Sequence, residues 1–457
     1  MSFERLTGLS ALAVWACAAC ASDPTETPDA GVDPSLDAGN NNNNSVPPAP
    51  QKINWTFKVV DEENAGFQPE VAVSSSGRVG IAYFRSLGEQ GVCSRVANAP
   101  IGTYAIMYAE DSNDFTPEEV IRVDLLNLNG ISLAFDDSGN PAIAFMGGAE
   151  GAYRCGGTDV MLARKSGAAW TTNMVDSDGM ATPVFQEDVD SCAFYQNTCN
   201  AGGQDVVGPW PALAFASGQP AIAYRDIHFG FAQDDEEKSD LELSWNGRFT
   251  LDATWGGGNQ TRMTSPGAGR LALVHASPYG TENGDGIWVM TYDGSSWARI
   301  KVSNETDVGY RIGLATRGDS IAVAYHARSD KKAFLVEGTR DRFGQPSVLD
   351  QTGDTGRSPS LAYDESGRLG AAFYRCGPYR PDISDCSIAE DALVLGVRGA
   401  EGWKKYEVRA QRGFYDGTQV ALAFKGNSPV IAFQAQAPDP AGGNVVRQMV
   451  VAQGVFE

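Results

Sequence analysis

At 457 residues the chain has the length of two or three ordinary domains, or of a single repeat architecture. Its 42% hydrophobic and 10% aromatic content can build a large core, and 52 glycines provide for many tight turns. A formal charge of −22 excludes nucleic acid and anionic membrane surfaces as partners, because both repel so acidic a surface.

Residues 1–20 read as a targeting signal: Arg5 precedes the apolar run LTGLSALAVWA, which is too short to span a bilayer. The run ends in small residues and cysteine, Val14-Trp15-Ala16-Cys17 and then Ala18-Ala19-Cys20. This resembles a bacterial lipobox, in which the cysteine becomes the acylated N-terminus. Cys17 has the better preceding residues and Cys20 is the alternative; an ordinary cleaved signal peptide is the competing reading. Lipidation would place the protein at the cell envelope. Neither cysteine is followed by Asp, so the outer membrane is the expected destination. Residues 21–52 are rich in Pro, Asp and Asn and poor in aliphatic and aromatic side chains, the composition of a disordered tether with a reach of about 30 Å.

Residues 53–457 carry a pattern that recurs seven times: an apolar strand, a tight Gly turn, and an apolar strand ending in an aromatic. Examples are PEVAVSSSGRVGIAYFR at 69–85, PALAFASGQPAIAYRD at 211–226 and PSLAYDESGRLGAAFYR at 359–375. The aromatic position holds Tyr83, Phe145, Tyr224, Tyr325, Phe373 and Phe433, with Val274 in a degenerate fourth copy. Each such hairpin is followed by a second one, for example VMLARKSGAAWTTNMVD at 160–176. Four antiparallel strands per unit, A to D, predict an all-β, seven-bladed β-propeller. A six- or eight-bladed ring would require a miscounted repeat. The last unit lacks strand D, and NWTFKVVD at 54–61 matches the W-x-x-x-x-V-D pattern of 170–176, so the N-terminal strand is expected to close the ring.

At the C–D turns, Asp293-Gly294-Ser295-Ser296-Trp297 and Gly167-Ala168-Ala169-Trp170 resemble degenerate Asp-boxes, S-x-D-x-G-x-x-W. On these motifs and the repeat, residues 53–457 resemble the bacterial BNR/sialidase-like propellers. The resemblance implies the fold. Without the leading Ser, and with the Asp missing from most blades, it does not imply sialidase activity.

The A–B turns are minimal, whereas the B–C loops at 86–103, 147–158, 226–239 and 375–390 and the D–A connection at 177–210 are long. The six cysteines after the signal, Cys93, Cys155, Cys192, Cys199, Cys376 and Cys386, all fall in these long segments. An even count in an exported chain predicts disulfides; Cys192–Cys199, Cys376–Cys386 and Cys93–Cys155 are the candidate pairs. The spacings do not resemble zinc sites. An elaborated rim opposite a plain one is the expected functional face.

Candidate ligand-binding residues on that rim are Arg85, Arg225, His228, His275, His326, Arg357, Arg375, Trp210 and Tyr310, with Arg311, Tyr415 and Asp416 beside them. Arginine binds carboxylate or sulfate, and Trp and Tyr stack on sugar rings. His275, His326, Tyr374 and Arg225 are the candidate catalytic set, since His and Tyr can exchange protons while Arg neutralises a uronate. The same residue types also cap strands and hold loops. No cofactor and no metal site are expected; the acidic run Asp234–Glu237 reads as a solvated loop, with calcium as its alternative. The expectation is a monomeric, cell-surface binding module for an anionic glycan or a protein partner. The alternative is a carbohydrate-active enzyme, either a polysaccharide lyase or a sialidase-like glycosidase.

Overall fold

The computed structural model describes residues 46–457 except 94–98, 126–127, 148–157, 177–181, 186–205, 228–238, 254–255, 268, 278–284, 310, 378, 381–384, 387–390, 410–418 and 439–444. The described residues form a seven-bladed β-propeller. Blade 1 runs Ala65–Val73, Val79–Cys93, Ala99–Glu110 and Glu118–Leu125; blade 2 runs Ile131–Phe135, Pro141–Gly147, Asp159–Ser166 and Ala169–Asp176. Blade 3 runs Ala212–Ala216, Gln219–Ile227, Ser239–Ser244 and Arg248–Asp252; blade 4 runs Asn259–Gly267, Arg270–Ser277, Gly286–Tyr292 and Trp297–Ser303. Blade 5 runs Gly313–Arg317, Ser320–Ala327 and Lys332–Thr339, with strand D split into Arg342–Phe343 and Ser347–Asp350. Blade 6 runs Asp354–Tyr363, Leu369–Cys376, Ala392–Gly399 and Gly402–Arg409. Blade 7 runs Val420–Lys425, Ser428–Pro438 and Val445–Phe456, and its fourth strand is Ile53–Asp61. The closing pair is antiparallel from Ile53 opposite Phe456 to Asp61 opposite Met449. The A strands of neighbouring blades touch all the way round, which makes them the inner wall.

The alternation within strands explains the packing. Strand B of each blade is buried on both faces, and the aromatic-position residues Tyr83, Phe145, Tyr224, Tyr325, Phe373 and Phe433 are each at most 3% exposed. Their rings sit at the blade seams; Phe145, for example, packs in one cluster with Phe84, Ile106 and Val123 of blade 1. Polar residues at the ends of the D strands meet some of these rings. Asp61 accepts from the Tyr83 hydroxyl at 2.9 Å, Asp176 bonds the Tyr224 hydroxyl, and Ser303 donates to the Tyr325 hydroxyl at 3.0 Å. The plain rim is tied turn to turn: the Arg78 guanidinium bonds Gly139 O, Arg270 pairs with Asp319 at 2.7 Å, and Ser366 Oγ donates to Asn427 at 2.6 Å.

Two expectations change. The tether expected over 21–52 belongs to the folded unit from residue 46 onward. Ala400 N donates to Pro47 O at 3.3 Å, Lys404 Nζ donates to Gln51 O at 2.9 Å, and the Tyr406 hydroxyl bonds Pro50 O. The prolines of this segment have no N–H to donate, so its carbonyls carry most of the contact, with Gln51 N donating to Glu457 O at 3.2 Å. The loop expected at 86–103 is largely a hairpin, paired from Ser86 opposite Tyr104 to Cys93 opposite Ala99 through two register shifts.

Candidate functional site

Each A strand carries a comparable step at or near its start, and five of the seven residues at the step have left-handed backbone: Gln68, Gly130, Trp210, Gln260 and Ser358, with φ between 49° and 93°. Arg311 and Gln419 hold the corresponding places in blades 5 and 7. The kink ends the D–A connection and turns the chain onto the axis. Gln68 stitches three blades there, because its backbone N–H bonds the Gln419 side-chain oxygen and its amide bonds Leu128 O and Gly130 N.

The seven steps enclose a pocket of about 430 Å³ at the mouth of the central channel. Every blade contributes to it: Gln68 and Glu70, Asn129, Trp210, Arg262, Arg311, Ser358 and Gln419 in turn. It lies where the D–A connections arrive, on the rim of the long loops. Its volume falls within the usual range for small-molecule sites.

Charge in the pocket is concentrated on three side chains. Arg311 Nη2 lies 2.9 and 3.0 Å from the two Glu70 oxygens, and its Nη1 donates to Pro69 O at 3.1 Å. Arg262 Nη1 donates to Glu70 Oε1 at 2.9 Å. Two guanidiniums therefore share one carboxylate, leaving an excess of one positive charge in a protein of net charge −22. Burial, together with the neighbouring Arg262, pushes the Arg311 guanidinium down to about 10 despite the attraction of Glu70. Arg262 Nε and Arg311 Nε are buried with no hydrogen-bond partner among the described residues.

Of the residues singled out from sequence, Trp210 and Arg311 line this pocket. Several others pair with carboxylates. Arg85 donates to Asp61 through Nε at 2.8 Å and Nη2 at 2.6 Å. His275 is fully buried, its Nε2 3.1 Å from Asp252 Oδ2 without hydrogen-bond alignment, and its Nδ1 is 3.2 Å from Gly258 N. His326 is 3% exposed and bonds Asp354 Oδ1 at 3.1 Å; Arg357 donates to the other oxygen at 2.5 Å. Burial raises the Asp354 carboxyl, but the bonds from His326 and Arg357 outweigh it and hold the group at about 2. Buried Tyr374 donates to Asp391 at 3.2 Å, Arg225 Nε donates to Ser239 at 2.8 Å, and Arg375 pairs loosely with Glu407 at 3.5 Å. His228, Tyr310, Tyr415, Asp416, Asp234–Glu237, Cys17, Cys20, Cys155, Cys192 and Cys199 lie outside the described residues, as do the side chains of Cys93 and Cys386. Cys376 is disulfide-bonded. No group of three His, Cys, Asp or Glu able to hold a metal occurs among the described residues, and no helix there is long and apolar enough to cross a membrane.

The sequence reading missed Gln68, Glu70, Asn129, Arg262, Ser358 and Gln419. The signal was available in the repeat: these residues lie at the step or within two places of it, beside the apolar positions on which the repeat was aligned.

No family model matches the chain, and no curated protein matches its sequence. Among solved structures, the chain is similar to a protein of unknown function from Dyadobacter fermentans, with 11% identity, 89% of this chain and 100% of that one covered, and a TM-score of 0.48. It is also similar to the NanB sialidase of Streptococcus pneumoniae, with 14% identity, 89% and 70% coverage, and a TM-score of 0.43. A third similar structure is the Aleuria aurantia lectin in complex with α-methyl-L-fucoside, with 10% identity, 76% and 96% coverage, and a TM-score of 0.42.

Proposed function

We propose that this protein is an exported, lipid-anchored envelope protein whose propeller binds an anionic glycan in the axial pocket. The observation that carries the reading is the cluster of Arg262 and Arg311 on a single carboxylate, Glu70, in a pocket to which all seven blades contribute. The excess charge and the two spare Nε–H donors suit a carboxylate or sulfate. The amides of Gln68, Asn129 and Gln419, the Ser358 hydroxyl and the Trp210 ring are the groups that recognise sugar hydroxyls and ring faces. The enzymatic alternative has less support, since His275, His326 and Tyr374 are buried and engaged by neighbouring groups.

The test is an array of neutral, carboxylated and sulfated glycans probed with the wild type, Trp210→Ala and Arg262→Gln. The wild type is expected to hold acidic glycans with an affinity that falls as salt rises, and each variant to weaken binding about tenfold or more. Equal binding by all three proteins, or no acidic glycan bound, overturns the proposal. Release of an unsaturated uronate product would replace the binding reading with the lyase.

A further inference from the structure

The repeat also shows which blade seams lack an outer ring, and one of them opens into a cleft. Strand A ends on the outer side in Phe135 in blade 2, Phe215 in blade 3, Tyr363 in blade 6 and Phe424 in blade 7, two residues beyond a shared apolar position. These rings fill the seam toward the preceding blade. Phe135 lies under the Arg78 guanidinium at 5.6 Å, Phe215 lies under Arg164 at 5.7 Å, and Phe424 packs over Gly370. The same place is held by Val73 in blade 1, Ser265 in blade 4 and Thr316 in blade 5, so at the seam between blades 4 and 5 neither blade carries the ring. There, between blades 4 and 5 on the short-turn rim, a cleft of about 310 Å³ opens, with Thr316 in its wall.

Both sides of this cleft depart from the repeat. The A–B turn of blade 4 is bulged, with a register shift between Thr264 and Gly267. Strand D of blade 5 is broken in two. The cleft is floored by Leu271 and Ile321, and Tyr292 lines it with a ring held by Trp245 and Trp297 at 5.2 and 5.4 Å. Arg270 pairs with Asp319 at 2.7 Å and Arg340 pairs with Asp293, so two guanidinium–carboxylate pairs stand at its edge with Asp341 beside them. Thr291, 6% exposed, lines the cleft and keeps a buried hydroxyl with no partner among the described residues.

We infer that this cleft is a second binding site, independent of the axial pocket, and that it takes a neutral sugar unit. An anion is disfavoured, because two arginines face three aspartates and both arginines are already paired. A simple cation would have to compete with those arginines for Asp293 and Asp319. A vicinal diol meets no such conflict: one hydroxyl donates to a carboxylate while its neighbour accepts from the paired guanidinium. The Thr291 hydroxyl gains the partner it lacks, and the Tyr292 ring offers an immobile face for the C–H side of a pyranose.

The test uses saturation-transfer NMR with a panel of neutral methyl glycosides on the wild type, Thr316→Phe, Thr291→Val and Trp210→Ala. At least one glycoside is expected to bind the wild type saturably. Thr316→Phe, which installs the side chain that other blades use at this place, should abolish that binding without lowering the melting temperature. Thr291→Val should weaken binding about fivefold, one hydrogen bond's worth, and Trp210→Ala should leave it unchanged. The inference is overturned if no neutral glycoside binds, or if binding survives Thr316→Phe. It is also overturned if binding is lost in Trp210→Ala, which would place the sugar on the axis and leave the axial reading standing.

Discussion

At the blade seams three buried carboxylates each meet one guanidinium and one uncharged or weakly basic group. Asp61 takes Arg85 and the Tyr83 hydroxyl, Asp354 takes Arg357 and His326, and Asp252 stands 3.1 Å from His275 and 3.3 Å from Arg299. On the axis, Glu70 takes two guanidiniums and leaves two nitrogen donors without partners. The residue types are similar and so is the burial, but the stoichiometry differs. A one-to-one buried pair satisfies itself and holds two elements together. A two-to-one cluster keeps positive charge and donors in reserve, which is costly in an empty core and useful in a pocket. Charge balance thus separates latch from site where exposure and residue type do not.

The largest expected difference between the two sets lies in stability. Asp61 joins the closing strand of blade 7 to blade 1, and its side chain is 2% exposed. Asp61→Ala removes the acceptor of Arg85 and the buried Tyr83 hydroxyl, leaving a partly buried guanidinium with only the exposed Glu63, and should cost about 3 kcal/mol in urea unfolding. A loss below about 1 kcal/mol would mean that the seam pairs are not latches and would remove the contrast with the axis.

The pH dependence sharpens the same contrast. Asp354 is held down from its ordinary 3.8 to about 2, chiefly through His326 and Arg357 against the opposing effect of burial. A depressed acid stabilises the fold at pH values above its unfolded pKa, and that contribution fades as pH falls through the folded value. Wild-type stability should therefore drop between about pH 4 and pH 2, and Asp354→Asn should be less stable near neutrality and flatter across that window. Parallel acid-unfolding curves for the two proteins would show that this carboxylate is not linked to folding.

Much of this was legible in the sequence because it is local. Period-two alternation and Gly turns mark the hairpins, and the stray W-x-x-x-x-V-D at 54–61 marks the closure. Trp210 and Arg311 were found because they end D–A connections, the first of them the longest in the chain. Glu70 and Arg262 sit inside strand A, where a polar side chain looks like ordinary alternation. Only superposing the seven copies on the axis brings them together. His275 and His326 were placed on the correct strands, but their orientation is set by Asp252 at the end of the preceding blade and Asp354 at the start of the following one. Such partners are distant in sequence and invisible to a local reading. Thr316 was overlooked for a different reason: the information is in what the position lacks.

The smallest expected effect belongs to the mildest seam contact. Tyr325 receives a 3.0 Å hydrogen bond from Ser303, a neutral pair with no carboxylate involved. Phe145, Phe373 and Phe433 fill the same place in blades 2, 6 and 7, so the seam accepts the ring without its hydroxyl. Ser303 is only partly buried and also accepts from Glu305 N at 3.1 Å, so after Tyr325→Phe its hydroxyl can turn to water. The Tyr325 ring remains stacked on Phe334 at 5.5 Å. Tyr325→Phe should therefore cost about 1 kcal/mol or less in urea unfolding, several times less than Asp61→Ala, and leave glycan binding untouched. A cost as large as that of Asp61→Ala would show that the seams depend on the ring's polar tip itself, and that counting charges does not separate strong latches from weak ones.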